Sequence, residues 1–447
     1  MYFLYTLLVL VFFAALSPYF AYQAIRYRKY IGSLPQRLGF LPVAMSVDAD
    51  ESIWVHAVSV GEVLTARALV ADLKERYPRL RLFLSTTTMA GQQVARRNLP
   101  GADGVFYFPF DLGFIVERTL GVVRPRLFIM METEIWPNLL RACRRRGVAT
   151  LVVNGRISSR SYPRYRLIQP LFRHVLADID RFCVQGEETA RRLVDLGADP
   201  ARITVTGSLK FDSLQPAGAP AYDHPSHRVL RFFRMPPGRP VIIAGSTLRG
   251  EEAAVLRAFH RLRAAVGDPL LILAPRHPER FGEVEHLARD EGFMTLRRTE
   301  LPIDSEPRAE VVVLDTIGEL AQLYRVATVV FVGGSLVDAG GHNILEPAAF
   351  GKSIVIGPHM QNFREIAETF LASGAAVQVR SEAELGSTLR LLLTDPARRA
   401  GLGAAASAVV EANRGAKAKT LAVIEELLPH AGAAGPWGVV RPFRVVH

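Results

Sequence analysis

The chain has 447 residues, of which 49% are hydrophobic and 22% charged. That excludes a disordered protein and predicts two or three folded domains at the usual ~100–200 residues each. Lys and Arg outnumber Asp and Glu by 54 to 43, and the net charge of +11 points to an anionic partner such as phosphates, nucleic acid or an acidic membrane face. Two cysteines, Cys143 and Cys183, are too few for a disulfide framework or a Cys-based zinc site and fit a reducing compartment.

Residues 1–25 carry no charge and read as an N-terminal transmembrane helix, because about 20 apolar residues span a bilayer core. Arg26, Arg28, Lys29 and Arg37 follow, so the positive-inside rule puts Met1 outside and the remaining chain in the cytoplasm. A cleaved signal peptide would want a positive region before the apolar run, and none precedes it.

From 26 to 213, short β-rich runs alternate with helical stretches. Strands are predicted near Ile53–Val58, Leu80–Ser85, Gly104–Phe108, Arg126–Met131, Ala149–Val153, Arg181–Val184 and Ile203–Val205. Runs such as LFIMM are continuously apolar, as in a parallel sheet buried on both faces. Residues 214–238, rich in Pro, Gly and Ala without a sustained period, read as a linker. A second βαβ series fills 239–428, its last helical stretch broken near Asn413-Arg414-Gly415, and 429–447 is a tail. The expected fold is α/β: two Rossmann-like, doubly wound domains facing a cleft, with ligands outside the carboxyl ends of the strands.

No G-x-G-x-x-G follows the first strand of either half. Gly351-Lys352-Ser353 leads into a strand and is rejected as a P-loop. His342 and Glu346, four apart, have no third metal ligand in view. The loop 331–358 holds two glycine pairs and then Asn343, which suits an anion site at the start of a helix over about 344–350, with Glu346 toward ribose hydroxyls. An ordinary capping Asn with a dipole-pairing Glu is the alternative. Arg276, in LAPRHPER at the carboxyl end of a strand with His277 beside it, suits a phosphate, and Asp315–Glu319 either lend amides to a ligand or merely cap.

In the first half, WVHAVSVGEV puts Glu62 where a strand turns into a helix. It is a candidate general base facing the cleft, or a common first-turn Glu. Glu132 and Glu134 follow a buried strand, and Lys210 lies near the linker. Arg141, Arg144, Arg145 and Arg146 read as a solvated helix face, whereas Arg156, Arg160, Arg164 and Arg166, in an expected loop, suit lipid head-group phosphates. A nucleic-acid binder is disfavoured: no RNP-like strand, helix-turn-helix pattern or single basic stripe is present.

Taken together, the N-terminal anchor, WVHAVSVGE, ETEIWPN, GSLKFD, APRHPER and GGHNILEPAAFGK resemble the 3-deoxy-D-manno-oct-2-ulosonic acid (Kdo) transferases of lipopolysaccharide synthesis, glycosyltransferase family 30. The resemblance implies a GT-B fold and inverting transfer of Kdo from CMP-Kdo to a lipid A precursor (lipid IVA) at the cytoplasmic face of the inner membrane. It implies Glu62 as catalytic base, Glu132 and Lys210 as transition-state stabilisers, and CMP contacts at Pro275, Arg276, Ile317, Gly318, Glu319, Asn343, Ile344, Leu345 and Glu346. Neither metal nor cofactor is expected, and the partners are CMP-Kdo, the lipid A precursor and inner-membrane lipids. The alternative within the fold is an enzyme using a UDP-sugar, a transferase or an epimerase.

Overall fold

The computed structural model describes residues 2–27, 32–42, 45, 50–99, 101–158, 161–212, 214 and 225–429. The chain forms two compact units, Met1–Ser213 with Arg414–His447, and Leu214–Asn413.

In the first unit the strands are β1 Ser52–His56, β2 Arg81–Thr86, β3 Gly104–Tyr107, β4 Pro125–Met131, β5 Ala149–Gly155, β6 Arg181–Val184 and β7 Ile203–Val205. They form one sheet of order β3-β2-β1-β4-β5-β6-β7, every pairing parallel. Helices cover both faces, so β4 is buried almost throughout, as its unbroken apolar run requires. Beneath one face Trp54 packs among Phe106, Phe108 and Phe128 while its indole N–H donates to Ser85 Oγ at 2.8 Å. The strand order reverses between β1 and β4, the crevice where such sheets take ligands.

In the second unit the strands are β8 Val241–Thr247, β9 Leu270–Pro275, β10 Thr295–Arg297, β11 Val311–Val313, β12 Val329–Val332, β13 Ser353–Ile356 and β14 Val377–Gln378. Their order is β10-β11-β9-β8-β12-β13-β14, again all parallel, with the reversal between β8 and β12. Here the backbone crowds: a Cβ on Gly333 would lie 2.6 Å from the Ser246 carbonyl and Thr247 Cα, so only glycine fits.

Of the expected linker, 215–224 lie outside the described residues, but Pro225–Phe232 is a 3₁₀ helix of the second unit. Its apolar residues find a core despite the Pro-rich composition: Val229, Leu230 and Phe233 are buried, and Arg231 and Arg234 both pair with Asp304.

The break near Gly415 (φ +96°) is a change of unit. Helix Ala416–Leu427 packs on the first unit instead of ending the second. Leu421 and Ile424 are buried there, Lys417 pairs with Asp72 at 2.9 Å, and the Asp212 carboxylate accepts from the N–H groups of Gly415 (2.8 Å) and Lys417 (2.6 Å). Periodicity reveals a helix, not which sheet it covers. The tail from 430 lies outside the described residues.

The N-terminal segment is a helix, Tyr2–Tyr27, whose first turns are held by the first unit. Tyr2 hydroxyl donates to Asp178, Tyr5 hydroxyl to Asp111 (3.0 Å), Thr6 contacts Asn138, and the Arg141 guanidinium lies 4.5 Å from the Tyr2 ring centre. Among the described residues no helix is long and apolar enough to cross a membrane.

Candidate active site

Glu62 lies in the first turn of helix Val60–Arg76, at the carboxyl end of β1. Ser59 is the N-cap, and its hydroxyl donates to Glu62 Oε1 at 2.8 Å while Glu62 Oε2 accepts from the Val58 N–H at 2.8 Å. The Glu62 N–H in turn donates to Ser59 Oγ at 3.5 Å, so the first-turn structural role foreseen for Glu62 is real. It does not exhaust the residue. Burial raises the Glu62 pKa, the bonds from Ser59 and Val58 pull it back, and the Glu132 charge raises it further. Desolvation therefore outweighs the helix N-terminus, which suits a proton acceptor.

Glu132 follows β4 with φ +57°, a left-handed conformation that a β-carbon disfavours, and its N–H donates to Val153 O at 2.8 Å. Glu134, two residues on, is pushed up to about 7 by burial and then by the charges of Glu62 and Glu132. Lys210 Nζ reaches Glu132 Oε1 at 4.0 Å from the short helix Leu209–Asp212 after β7. That helix is seated by Asn154, another residue of positive φ (57°), whose Oδ1 accepts from the Leu209 N–H at 3.0 Å. Glu62, Glu132, Glu134 and Lys210 thus converge around the β1/β4 reversal, as their positions after strands predicted. Asn154 was missed, because its partner lies 55 residues away and an Asn ending a strand has no motif.

Of the four arginines read as a phosphate grip, Arg160 lies outside the described residues. Arg156 follows β5, and its backbone bonds Thr133 Oγ1, beside the carboxylates. Arg164 and Arg166 stand exposed on a helix, Tyr162–Leu167, not in a loop, and Arg166 contacts Asp195 at 3.5 Å.

In the second unit, Pro275 ends β9 and Arg276 follows, exposed, its N–H donating to Thr247 O at 3.0 Å. Its charge reaches His342 and Glu346. Burial and then Arg276 and His277 push His342 down to about 4, while burial raises Glu346 against the pull of Asn343 and Arg276. The charge of Arg276, after β9, is thus felt at His342 and Glu346 in the loop after β12.

The helix there, Leu345–Ala349, has five residues, shorter than the one expected over about 344–350. Asn343, just before the N-cap Ile344, accepts from the Leu345 N–H at 3.1 Å and donates to Glu346 at 3.1 Å. The glycine pair that opens the loop is also occupied: the N–H groups of Gly334 and Ser335 donate to Glu251 at 2.7 and 3.0 Å.

Ile317 is 81% exposed and Gly318 has φ +89°, so this turn faces solvent. Glu319 is engaged by Arg298 at 2.8 and 2.6 Å, and Asp315 binds Thr299 through its N–H and hydroxyl, so both reach across to a neighbouring segment. Among the described residues no group of three His, Cys, Asp or Glu side chains is placed to hold a metal ion.

The two parallel-sheet α/β units resemble those of GT-B glycosyltransferases in fold. A glycosyltransferase crystal structure from Rickettsia africae ESF-5 superposes with a TM-score of 0.55 over 86% of this chain and 99% of that one, at 13% identity. Residues 32–213 match the family described as 3-Deoxy-D-manno-octulosonic-acid transferase (kdotransferase). The 3-deoxy-D-manno-octulosonic acid transferase of Haemophilus influenzae is 34% identical over 95% of this chain and 98% of its own length, and that of Bordetella pertussis is 36% identical over 88% and 91%. The chain is therefore a glycosyltransferase. It belongs to the 3-deoxy-D-manno-octulosonic acid transferase family.

Proposed function

We propose that the protein is an inverting transferase that moves Kdo from CMP-Kdo to a lipid A precursor, with Glu62 as general base. The observation that carries this reading is the carboxylate–lysine cluster at the β1/β4 reversal, in which burial holds Glu62 above the usual carboxylate range. An acceptor hydroxyl attacks the anomeric carbon as the bond to the CMP phosphate oxygen breaks. Its proton passes to Glu62, and the leaving electron pair stays on the phosphate.

In the second unit Arg276, with Pro275, the 317–319 turn and residues 343–346, would hold CMP. Charge growing on the leaving phosphate is met by a guanidinium already in place, which favours the transition state over the ground state. Glu132 and Lys210 would stabilise charge around the reacting sugar and hydroxyl. Protection against thermal unfolding tests the donor: CMP is expected to raise the melting temperature more than UDP at equal concentration. A larger shift with UDP would favour the UDP-sugar alternative.

The same reading places the protein at the cytoplasmic face of the inner membrane, attached through helix Tyr2–Tyr27. Support comes from its outward side chains. Phe3, Leu4, Leu7, Leu8, Val11 and Phe12 are exposed while Tyr2, Tyr5 and Thr6 bond the first unit, the reverse of a water-facing helix. The protein is expected to float with anionic phospholipid vesicles, and deletion of 1–27 to abolish this. Undiminished flotation of the truncated protein would remove the helix from the attachment.

A further inference from the structure

Helix Glu251–Val266 starts with two carboxylates, Glu251 and Glu252, that are both 0% exposed. Burying a carboxylate costs several kcal/mol unless its oxygens are satisfied. Glu252 is matched by Arg280 at 2.6 and 3.2 Å and by the Thr247 hydroxyl at 2.9 Å. Glu251 is met differently. Its oxygens accept four backbone N–H groups: Leu248 (2.9 Å) and Gly334 (2.7 Å) on Oε2, Ser335 (3.0 Å) and Leu336 (2.9 Å) on Oε1.

Three consecutive N–H groups converging on one anion, with Gly334 at φ +67°, form a nest of the sort that elsewhere cradles phosphates. Here the protein fills it with its own side chain, so a nucleotide phosphate is not held there. What the filled nest does is brace the loop beyond it. The Gly341 N–H donates to Gly334 O at 2.7 Å, the His359 N–H to Ser335 O at 2.9 Å, and the Gly357 N–H to Ser335 Oγ at 2.8 Å. The His342 ring lies against Gly334, where a Cβ would come within 2.8 Å of it. A continuous path of contacts runs from Glu251 through Gly334 to Gly341-His342, immediately before Asn343–Glu346.

Topology gives this path its meaning. Glu251 starts the helix after β8 and the nest follows β12, the two strands flanking the reversal in the second sheet. Glu62 starts the helix after β1, the corresponding position of the first sheet, yet closes on its own cap. We propose that Glu251 is a positioning residue of the donor site: its carboxylate pins the 334–336 loop so that residues 342–346 are already arranged before the nucleotide arrives. This rests on the reading that those residues contact CMP. An arranged loop pays its ordering entropy during folding, so its loss is felt as weaker binding rather than slower chemistry.

The test is Glu251→Gln, which turns an oxygen receiving two N–H groups into a donor facing them. CMP Kd and the KM for CMP-Kdo are expected to rise tenfold or more, while kcat at saturating donor stays within about threefold and the acceptor KM is unchanged. Glu251→Asp, which keeps the charge on a shorter arm, should fall between. Leu389→Ala, a core truncation in the same unit, should lower stability without moving the donor KM. A folded Glu251→Gln protein with wild-type Kd and KM would overturn the proposal. If neither Glu251 variant folds, hydrogen exchange on the nucleotide-free wild type decides. Protected amides at 334–336 support the pin, and exchange at the rate of an open loop contradicts it. Failure of the wild type to bind CMP at all would instead reject the underlying donor reading.

Discussion

Glu62→Gln is expected to lower kcat for Kdo transfer by about 10³-fold, within the range for removal of a positioned general base. CMP binding should be unchanged, because the substitution lies in the first unit and the nucleotide residues in the second. The fold should survive as well. Glutamine keeps an oxygen able to accept from the Val58 N–H or the Ser59 hydroxyl, so the cap loses at most about 1 kcal/mol. This separates the two roles of Glu62: a residue that only capped its helix would show a stability change with near-normal turnover. The pH dependence follows from the same surroundings. A base must be deprotonated, so activity falls as pH drops through the Glu62 pKa, which burial places above the ordinary glutamate value. Removing the neighbouring charge in Glu132→Gln should move that acid limb to lower pH, and an unmoved limb would mean another group titrates.

Arg276→Ala carries the second large effect. Losing a charge-assisted contact to phosphate costs about 1.5–3 kcal/mol, so CMP affinity should drop roughly 10- to 100-fold. Turnover should slow too, because charge on the leaving phosphate grows as the glycosidic bond breaks. Arg276→Lys should recover only part, since an ammonium cannot donate two parallel hydrogen bonds. The side chain is exposed and its influence on His342 and Glu346 is electrostatic, so the variant should fold normally. Unchanged CMP affinity would take Arg276 out of the donor site.

Both sheets were legible in the sequence because parallel strands buried on two faces must be written as apolar runs, as in β4 (PRLFIMM) and β8 (VIIAGST). Shorter pieces were not: β10 has three residues, and helix Tyr162–Leu167 contains a proline and little period. Site residues after strands were legible for the same topological reason, since Glu62, Glu132 and Arg276 each follow a readable strand. What escaped were contacts of long sequence separation. Glu251 meets Gly334 across 83 residues and Asp212 meets Gly415 across 203, and no local pattern announces either. Nor does any local pattern show that the N–H groups of Gly334 and Ser335 are taken by a carboxylate from a distant helix.

The most direct test of the central claim is to incubate the purified protein with CMP-Kdo and a lipid A precursor and weigh the lipid. A gain equal to one or more Kdo residues, dependent on CMP-Kdo and absent in Glu62→Gln, is the predicted result. An acceptor of unchanged mass with active, CMP-binding protein would contradict it, as would equal product from the Glu62→Gln variant.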